Sequence, residues 1–195
     1  MPKSRLEAFS DAVIAILITI MVLELTVPHG DDVAVLHPLV PVFLAYLLSF
    51  VNLGIYWNNH HHLLFTAQRV NGKILWANLH LLLWLSLFPF TTGWMGETGF
   101  ATLPTLGYGV VALGAAIAYF ILQSAILAEL GPNSKLAIAL GRDIKGKTSP
   151  ILYLAAIPLA FIDRWISVGL YVVVALMWLA PDRRIESTVE RDAAT

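Results

Sequence analysis

Four long apolar runs dominate the chain, at about residues 6–27, 39–65, 74–95 and 104–129. A helix needs about 20 mostly apolar residues to cross roughly 30 Å of hydrocarbon, so each run predicts a spanning helix. A fifth apolar region, from Pro150 to Ala180, is interrupted in its middle by Asp163 and Arg164. It fits either one long kinked helix or two short ones, at about 149–162 and 165–181.

Charge placement decides between these two. Lys3 and Arg5 precede the first run, and Arg69 and Lys73 lie between the second and third. Lys135, Arg142, Lys145 and Lys147 lie before the fifth region, and Arg183, Arg184 and Arg191 follow it. If the fifth region is a hairpin turning at Asp163-Arg164, eleven of the twelve basic residues share one side, and only Arg164 is opposite. That is the positive-inside pattern, with Asp31, Asp32 and Glu97 in the other loops. A five-helix chain would put Arg183 and Arg184 outside. The sequence therefore predicts an all-α integral membrane protein: a single domain over 1–195 with six transmembrane helices, multi-pass in the cell membrane, both termini cytoplasmic.

Composition narrows the function classes. Hydrophobic residues make up 58 % of the 195 and charged residues only 13 %, where soluble domains carry about a quarter charged; mean hydropathy is +0.75. A formal charge of −1 gives no general affinity for nucleic acid. The chain has no cysteine, so disulfides, thiolate metal sites and a cysteine nucleophile are excluded. Lys3 and Arg5 before an apolar stretch resemble a signal peptide, but Glu7 and Asp11 interrupt the approach and no A-x-A-like site follows Val27. The first run is expected to be a retained span. Phosphate loops, zincin motifs, nucleophile elbows and a T-V-G-Y-G filter are missing, and no segment outside the spans is long enough for soluble chemistry. The expectation is a non-enzyme without cofactor or tightly bound metal.

Ionisable groups within spans are costly and mark functional positions when they find partners. At about 1.5 Å per helical residue, Asp11 lies about 9 Å beyond Arg5, Asn78 about 8 Å in from Lys73, and His60 about 13 Å in from Arg69. These groups share one membrane level, so Arg5, Ser10, Asp11, His60 and Asn78 can form a polar cluster in which Arg5 and Asp11 neutralise each other. Ser10-Asp11 also fits a helix N-cap immediately before the apolar run; that alternative gives no role to Arg5. In "WNNHHHLLF", residues 57–65, the three histidines suggest a metal. Consecutive helical residues point about 100° apart, so His60, His61 and His62 cannot chelate one ion, and hydrogen bonding within a bundle suits them better.

The first run has a second face. With Ile16 at zero on a wheel of about 100° per residue, Ala12, Thr19, Ile20, Leu23 and Val27 fall within roughly 60° of it, and Ser10 and Asp11 more than about 100° away. One face is apolar with a single hydroxyl, the other carries the polar motif.

"RLEAFSD", with Arg5, Phe9, Ser10 and Asp11 in the spacing R-x-x-x-F-S-D, resembles the signature of bacterial relatives of the endosomal and lysosomal potassium channel, the transmembrane protein 175 family. The resemblance extends to Trp57, His60 and His61 in "YWNNHHH", to Asn78 in "WANLHLLLW" and to Pro89-Phe90. It implies a potassium channel without a re-entrant pore loop, a homotetramer in which helix one lines a central path and potassium is the permeant ion. It further implies a hydrophobic constriction at Ile16, a hydroxyl layer at Thr19 and a lining continued by Ile20 and Leu23. Arg5, Phe9, Ser10 and Asp11, with Trp57, His60 and Asn78, would orient that helix. Ala15 stands where some relatives have serine. The competing reading is a proton-coupled secondary transporter using Asp11 and His60 as a relay; the inverted repeat that would support it is absent from the sequence.

Overall fold

A computed structural model describes residues 2–131, 134 and 144–179. Every regular element in them is helical. The first helix, α1 (Lys3–Ile20), tightens into a 3-10 turn at Met21–Glu24. A 3-10 segment at Val33–Leu39 then leads into α2 (Val40–Thr66), its start capped by the Asp32 carboxylate, which accepts from the Ala34 amide at 3.3 Å. Asn71 caps α3 (Gly72–Ser86) in the same way, accepting from Ile74 N at 3.0 Å. Then come α4 (Phe88–Glu97), α5 (Thr102–Leu130), α6 (Ile144–Leu159) and α7 (Arg164–Leu179).

The third apolar run is two helices and not one. Pro89 has no N–H to give the Leu85 carbonyl and its ring crowds that group, so the ladder breaks one turn earlier. Leu87, at φ −87° and ψ −10°, joins α3 to α4. Together the two still cover Gly72–Glu97, and this stretch, Lys3–Glu24, Val33–Thr66 and Thr102–Leu130 are the four among the described residues that are long and apolar enough to cross a bilayer. The apolar α7 is shorter.

α6 and α7 are antiparallel. Ser167 Oγ donates to Ala156 O at 2.6 Å and Trp178 Nε1 to Ser149 Oγ at 2.7 Å, pairing residues nearly equidistant from the turn. Asp163, a charge in the middle of an apolar region, caps α7 by accepting from Trp165 N at 2.9 Å. Lys135, Arg142, Arg183, Arg184 and Arg191, five of the twelve basic residues in the charge argument, lie outside the described residues.

Between α4 and α5 the backbone turns through two left-handed residues, Gly99 (φ 58°) and Phe100 (φ 61°). Glycine adopts that region readily, but phenylalanine does so rarely. Phe100 is held there by its amide on Met95 O at 2.8 Å and by burial of its ring, 5.4 Å from that of Trp165.

The interior relies on close approach and on paired polar groups. Lipid tails are as apolar as leucine side chains, so helices in a bilayer associate through packing and hydrogen bonds. Gly114 lets α5 approach the Trp84 ring of α3, and Gly109 leaves room for the Tyr171 hydroxyl of α7. Tyr108 of α5 joins α2 and α4: its hydroxyl accepts from Asn52 Nδ2 at 2.9 Å and from Ser49 at 3.3 Å, and Ser49 shares a 2.6 Å bond with Thr92.

Gly114→Ala should lower the thermal midpoint in detergent, at a cost of roughly 1–3 kcal/mol for overpacking, because the added Cβ would overlap the Trp84 ring. Gly54→Ala is the control: its Cβ meets nothing within 4 Å, and its midpoint should hold or rise.

Candidate functional site

α1 starts at Lys3, so Ser10 and Asp11 lie in the helix interior and neither is its N-cap. Ser10 is fully buried and donates to Leu6 O, one turn back, at 2.9 Å. Its oxygen then accepts from Asn78 Nδ2 of α3 at 3.0 Å, and Asn78 turns its Oδ1 to His60 Nε2 of α2 at 2.6 Å. With both ends of Asn78 so assigned, His60 donates through Nε2. Its buried Nδ1 has no partner among the described residues. This series of bonds joins three helices and requires no charge at any point, which suits a medium where an unpaired charge is expensive.

Asp11, the next residue, bonds to a different helix. Its carboxylate accepts from the Trp57 indole of α2 at 3.1 Å. Successive residues diverge by about 100°, so Ser10 and Asp11 grip α3 and α2 on two flanks of α1. The direction opposite their bisector, on the same wheel, is that of Ile16. Leu6, Ile14, Leu17 and Met21 are buried beneath α1, at the four- and three-residue steps of one helical face. The far face of α1 is exposed in the single chain at Phe9, Ile16 (57 %) and Ile20, and Leu23 (75 %) follows in the 3-10 turn; Val27, expected on the same helical face, is exposed beyond the end of that turn, because the backbone leaves helical geometry at Leu25.

Thr19 is exposed beside this stripe, its hydroxyl donating back to its own helix, 3.0 Å from Ala15 O and 2.9 Å from Ile16 O. With the proton turned to the backbone, the oxygen lone pairs point outward. That arrangement accepts a hydrogen bond or contacts a cation.

Arg5 and Asp11 do not neutralise each other as expected. Six residues of helix separate them by about 240°, so Asp11 turns to Trp57 while Arg5 is exposed on the side of Phe9 and Ile16. The ion pair of this segment is Lys3 with Glu7, at 3.6 Å and one turn apart. The structure likewise brings no bond between Asp11 and His60, whose partners are separate. His61 is exposed, and His80 accepts from Trp84 Nε1 at 3.0 Å. No three His, Asp or Glu side chains converge as a metal site among the described residues. Spacing alone missed two features. One is Trp57 as the partner of Asp11, the resemblance having placed Trp57 only among the residues that orient helix one; the other is the Ser49, Asn52, Thr92 and Tyr108 set, signalled by polar residues inside apolar runs.

A potassium channel of Chryseobacterium sp. (strain P1-3) is 53 % identical to this chain over 192 residues, covering 98 % of it and 100 % of the relative. The chain belongs to the TMEM175 channel family. The family model, described as endosomal/lysosomal potassium channel TMEM175, matches residues 5–89. In this TMEM175 relative the matched stretch ends at the proline that breaks α3 from α4, and it contains Ser10, Asp11, Trp57, His60 and Asn78. A crystal structure of a lysosomal potassium-selective channel TMEM175 homolog from Chamaesiphon minutus superposes with a TM-score of 0.79 at 31 % identity, covering 91 % of this chain and 96 % of that one. The rat endosomal/lysosomal proton channel TMEM175 is 32 % identical over 138 residues, 64 % of this chain and 27 % of the rat protein.

Replacing Asn78 by leucine removes the donor to Ser10 and the acceptor for His60 together. Asn78→Leu should cost about 1–3 kcal/mol through buried groups left unpaired, measured as a fall in thermal midpoint, whereas Asn59→Leu, which breaks a bond within α2 only, should cost less. Equal losses in the two variants would remove Asn78 from its central place.

Proposed function

We propose that this chain is a potassium channel of the cell membrane. Four copies, each of six transmembrane helices with both termini cytoplasmic, place their α1 helices around a central path. The observation that carries this reading is the apolar stripe of α1: Ile16, Ile20 and Leu23 are exposed in the single chain, opposite the flanks held by Ser10 and Asp11. A helix so firmly oriented, with its large apolar side chains turned outward, has a surface to complete with other copies. The relatives named potassium channels, from Chryseobacterium and Chamaesiphon, support the choice of ion.

In this assembly Ile16 forms the constriction. Four such side chains exclude water when close together, and ions pass when the ring widens or wets. One turn further, four Thr19 oxygens offer partial replacement of a hydration shell, since their protons already bond α1 carbonyls. Ile20 and Leu23 continue an apolar wall that binds no ion tightly and so lets potassium leave. The protein acts on the ion by barrier and hydration, with no catalytic step and no cofactor. Ser10, Asp11, Trp57, His60 and Asn78 set the rotation of α1 and do not meet the ion.

Two measurements test this together. Purified protein should have a tetrameric mass in detergent by native mass spectrometry, and in liposomes it should carry potassium faster than sodium. Ile16→Asn, which makes the constriction wettable, should raise potassium flux severalfold. A tetramer that passes no potassium, or an Ile16→Asn flux equal to that of the parent, would overturn the reading.

A further inference from the structure

One buried atom in this bundle breaks the pairing rule. Among the described residues, His60 Nδ1 is the single buried side-chain nitrogen or oxygen without a hydrogen-bond partner, and its side chain is 1 % exposed. Buried polar atoms are almost always paired, and an orphan carries a desolvation cost. The neighbours of His60 fix what kind of atom this one is. Ser10 donates to Leu6 O, so its oxygen accepts from Asn78 Nδ2, and the Asn78 carbonyl is left to accept from His60 Nε2. The Nε2 proton is therefore committed, and Nδ1 of the neutral ring carries an open lone pair.

An open lone pair takes a proton, and on Nδ1 a proton breaks no bond. Nε2–H still donates to Asn78, and that bond strengthens once the ring is charged. His80 is the contrast: its Nε2 already accepts from Trp84 Nε1 at 3.0 Å, and a proton there would break the contact. Charging a buried ring is costly, so the groups around it matter. Those that face His60 are Asp11 and Glu7 from α1, both carboxylates, and His61 from its own α2; α3 presents the neutral Asn78. The two carboxylates offset the cost, and a protonated His61 adds to it. Asp11 is also well placed to respond, because it bonds Trp57, three residues before His60 on α2, the spacing that puts two side chains on one helical face.

We infer that His60 is a proton-binding site that controls the grip of α2 on α1. With the ring neutral, Asp11 holds Trp57. A proton enters from the side of Glu7, whose side chain is 29 % exposed, and Nδ1–H becomes a donor in need of an acceptor. The Asp11 carboxylate then turns to it from the Trp57 indole. Ser10 keeps its bond to α3 throughout, so α1 loses one of its two grips and rolls about the other. The effect on ion flow rests on the channel reading above; the proton site and the movement of Asp11 do not.

The test uses the full chain in nanodiscs with isotope-labelled histidine and tryptophan, titrated by NMR from about pH 8 to about pH 4.5, on both sides of the ordinary imidazole midpoint. The His60 ring, assigned through its contact with Asn78, should pass from one protonated nitrogen to two, and the Trp57 indole resonance should shift over the same range. In Asp11→Asn, which keeps an acceptor for Trp57 but not the charge, the Trp57 resonance should hold still. In liposomes, potassium flux relative to its own value at the alkaline end should change severalfold on acidification, and His60→Gln, which keeps a donor for Asn78 and does not titrate, should lose that dependence. The proposal is overturned if Nδ1 stays unprotonated throughout, as a buried water bonded to it would leave it, if Trp57 responds equally in Asp11→Asn, or if His60→Gln keeps the parent's pH profile. Liposomes that pass no potassium at any pH would overturn the channel reading alone, since the two resonances decide the proton site without it.

Discussion

Everything at the front of this molecule depends on how α1 is rotated, and that rotation is fixed by the need to pair a serine hydroxyl and an aspartate inside a membrane. In hydrocarbon there is no water to satisfy either group. Ser10 is satisfied through Asn78 and Asp11 through Trp57, and the two partners lie on different neighbours. One bond to one helix would leave α1 able to roll about the contact. Two bonds on successive residues, diverging by about 100°, do not. Individual interhelical hydrogen bonds in membranes average only about 0.6 kcal/mol, so the pair contributes little to stability by strength alone. What it gives is orientation, and Leu6, Ile14, Leu17 and Met21 then pack on the side it selects.

The same economy governs the rest of the bundle. Tyr108 gathers Ser49 and Asn52, Tyr171 donates to Thr105 O at 3.0 Å, and glycines at 109 and 114 bring the helices close enough for those contacts. Where α3 meets α4, the cost of Pro89 is confined to one residue, Leu87, and α4 restarts with Thr91 N on Leu87 O at 3.1 Å. The family-model match, residues 5–89, covers the α1, α2 and α3 bonds and stops at this break. The α5, α6 and α7 part lies beyond it.

The legible part of the fold was the part written in long-range composition. Long apolar runs mark four helical stretches, because a bilayer demands length and hydropathy whatever the partner. The split at Pro89 was less legible, since membrane helices often tolerate proline when neighbours re-satisfy the backbone. Depth counting put Asp11, His60 and Asn78 at one level, and the structure bonds His60 and Asn78 to each other and Asn78 to Ser10, the neighbour of Asp11. The cluster was also expected to include Arg5 as the partner of Asp11, and Arg5 is elsewhere: depth is one coordinate, and the angle about the axis is the other. A wheel supplies that angle, and places Arg5 with Ile16. The indole of Trp57 was beyond both devices, because its reach to Asp11 depends on how α2 crosses α1, which no spacing within one helix encodes.

A polar motif at the mouth of a span looks like an ion site, and the pairing in this chain argues against using it as one. An ion attracted to Asp11 or Asn78 would have to displace Trp57, His60 or Ser10, and each displaced group would then be unpaired in an apolar setting at about 1–3 kcal/mol. Thr19 is different: its hydroxyl proton is spent on its own helix, and its oxygen faces outward on the exposed side of α1. In the proposed assembly, then, the groups able to coordinate are few and weak, while the strong ones are committed to structure. Such a path discriminates among ions mainly by the work of stripping or carrying their water past Ile16. On that proposal selectivity would depend on how tightly the four α1 helices approach, a quantity that Ser10 and Asp11 would set from a distance through the rotation of α1.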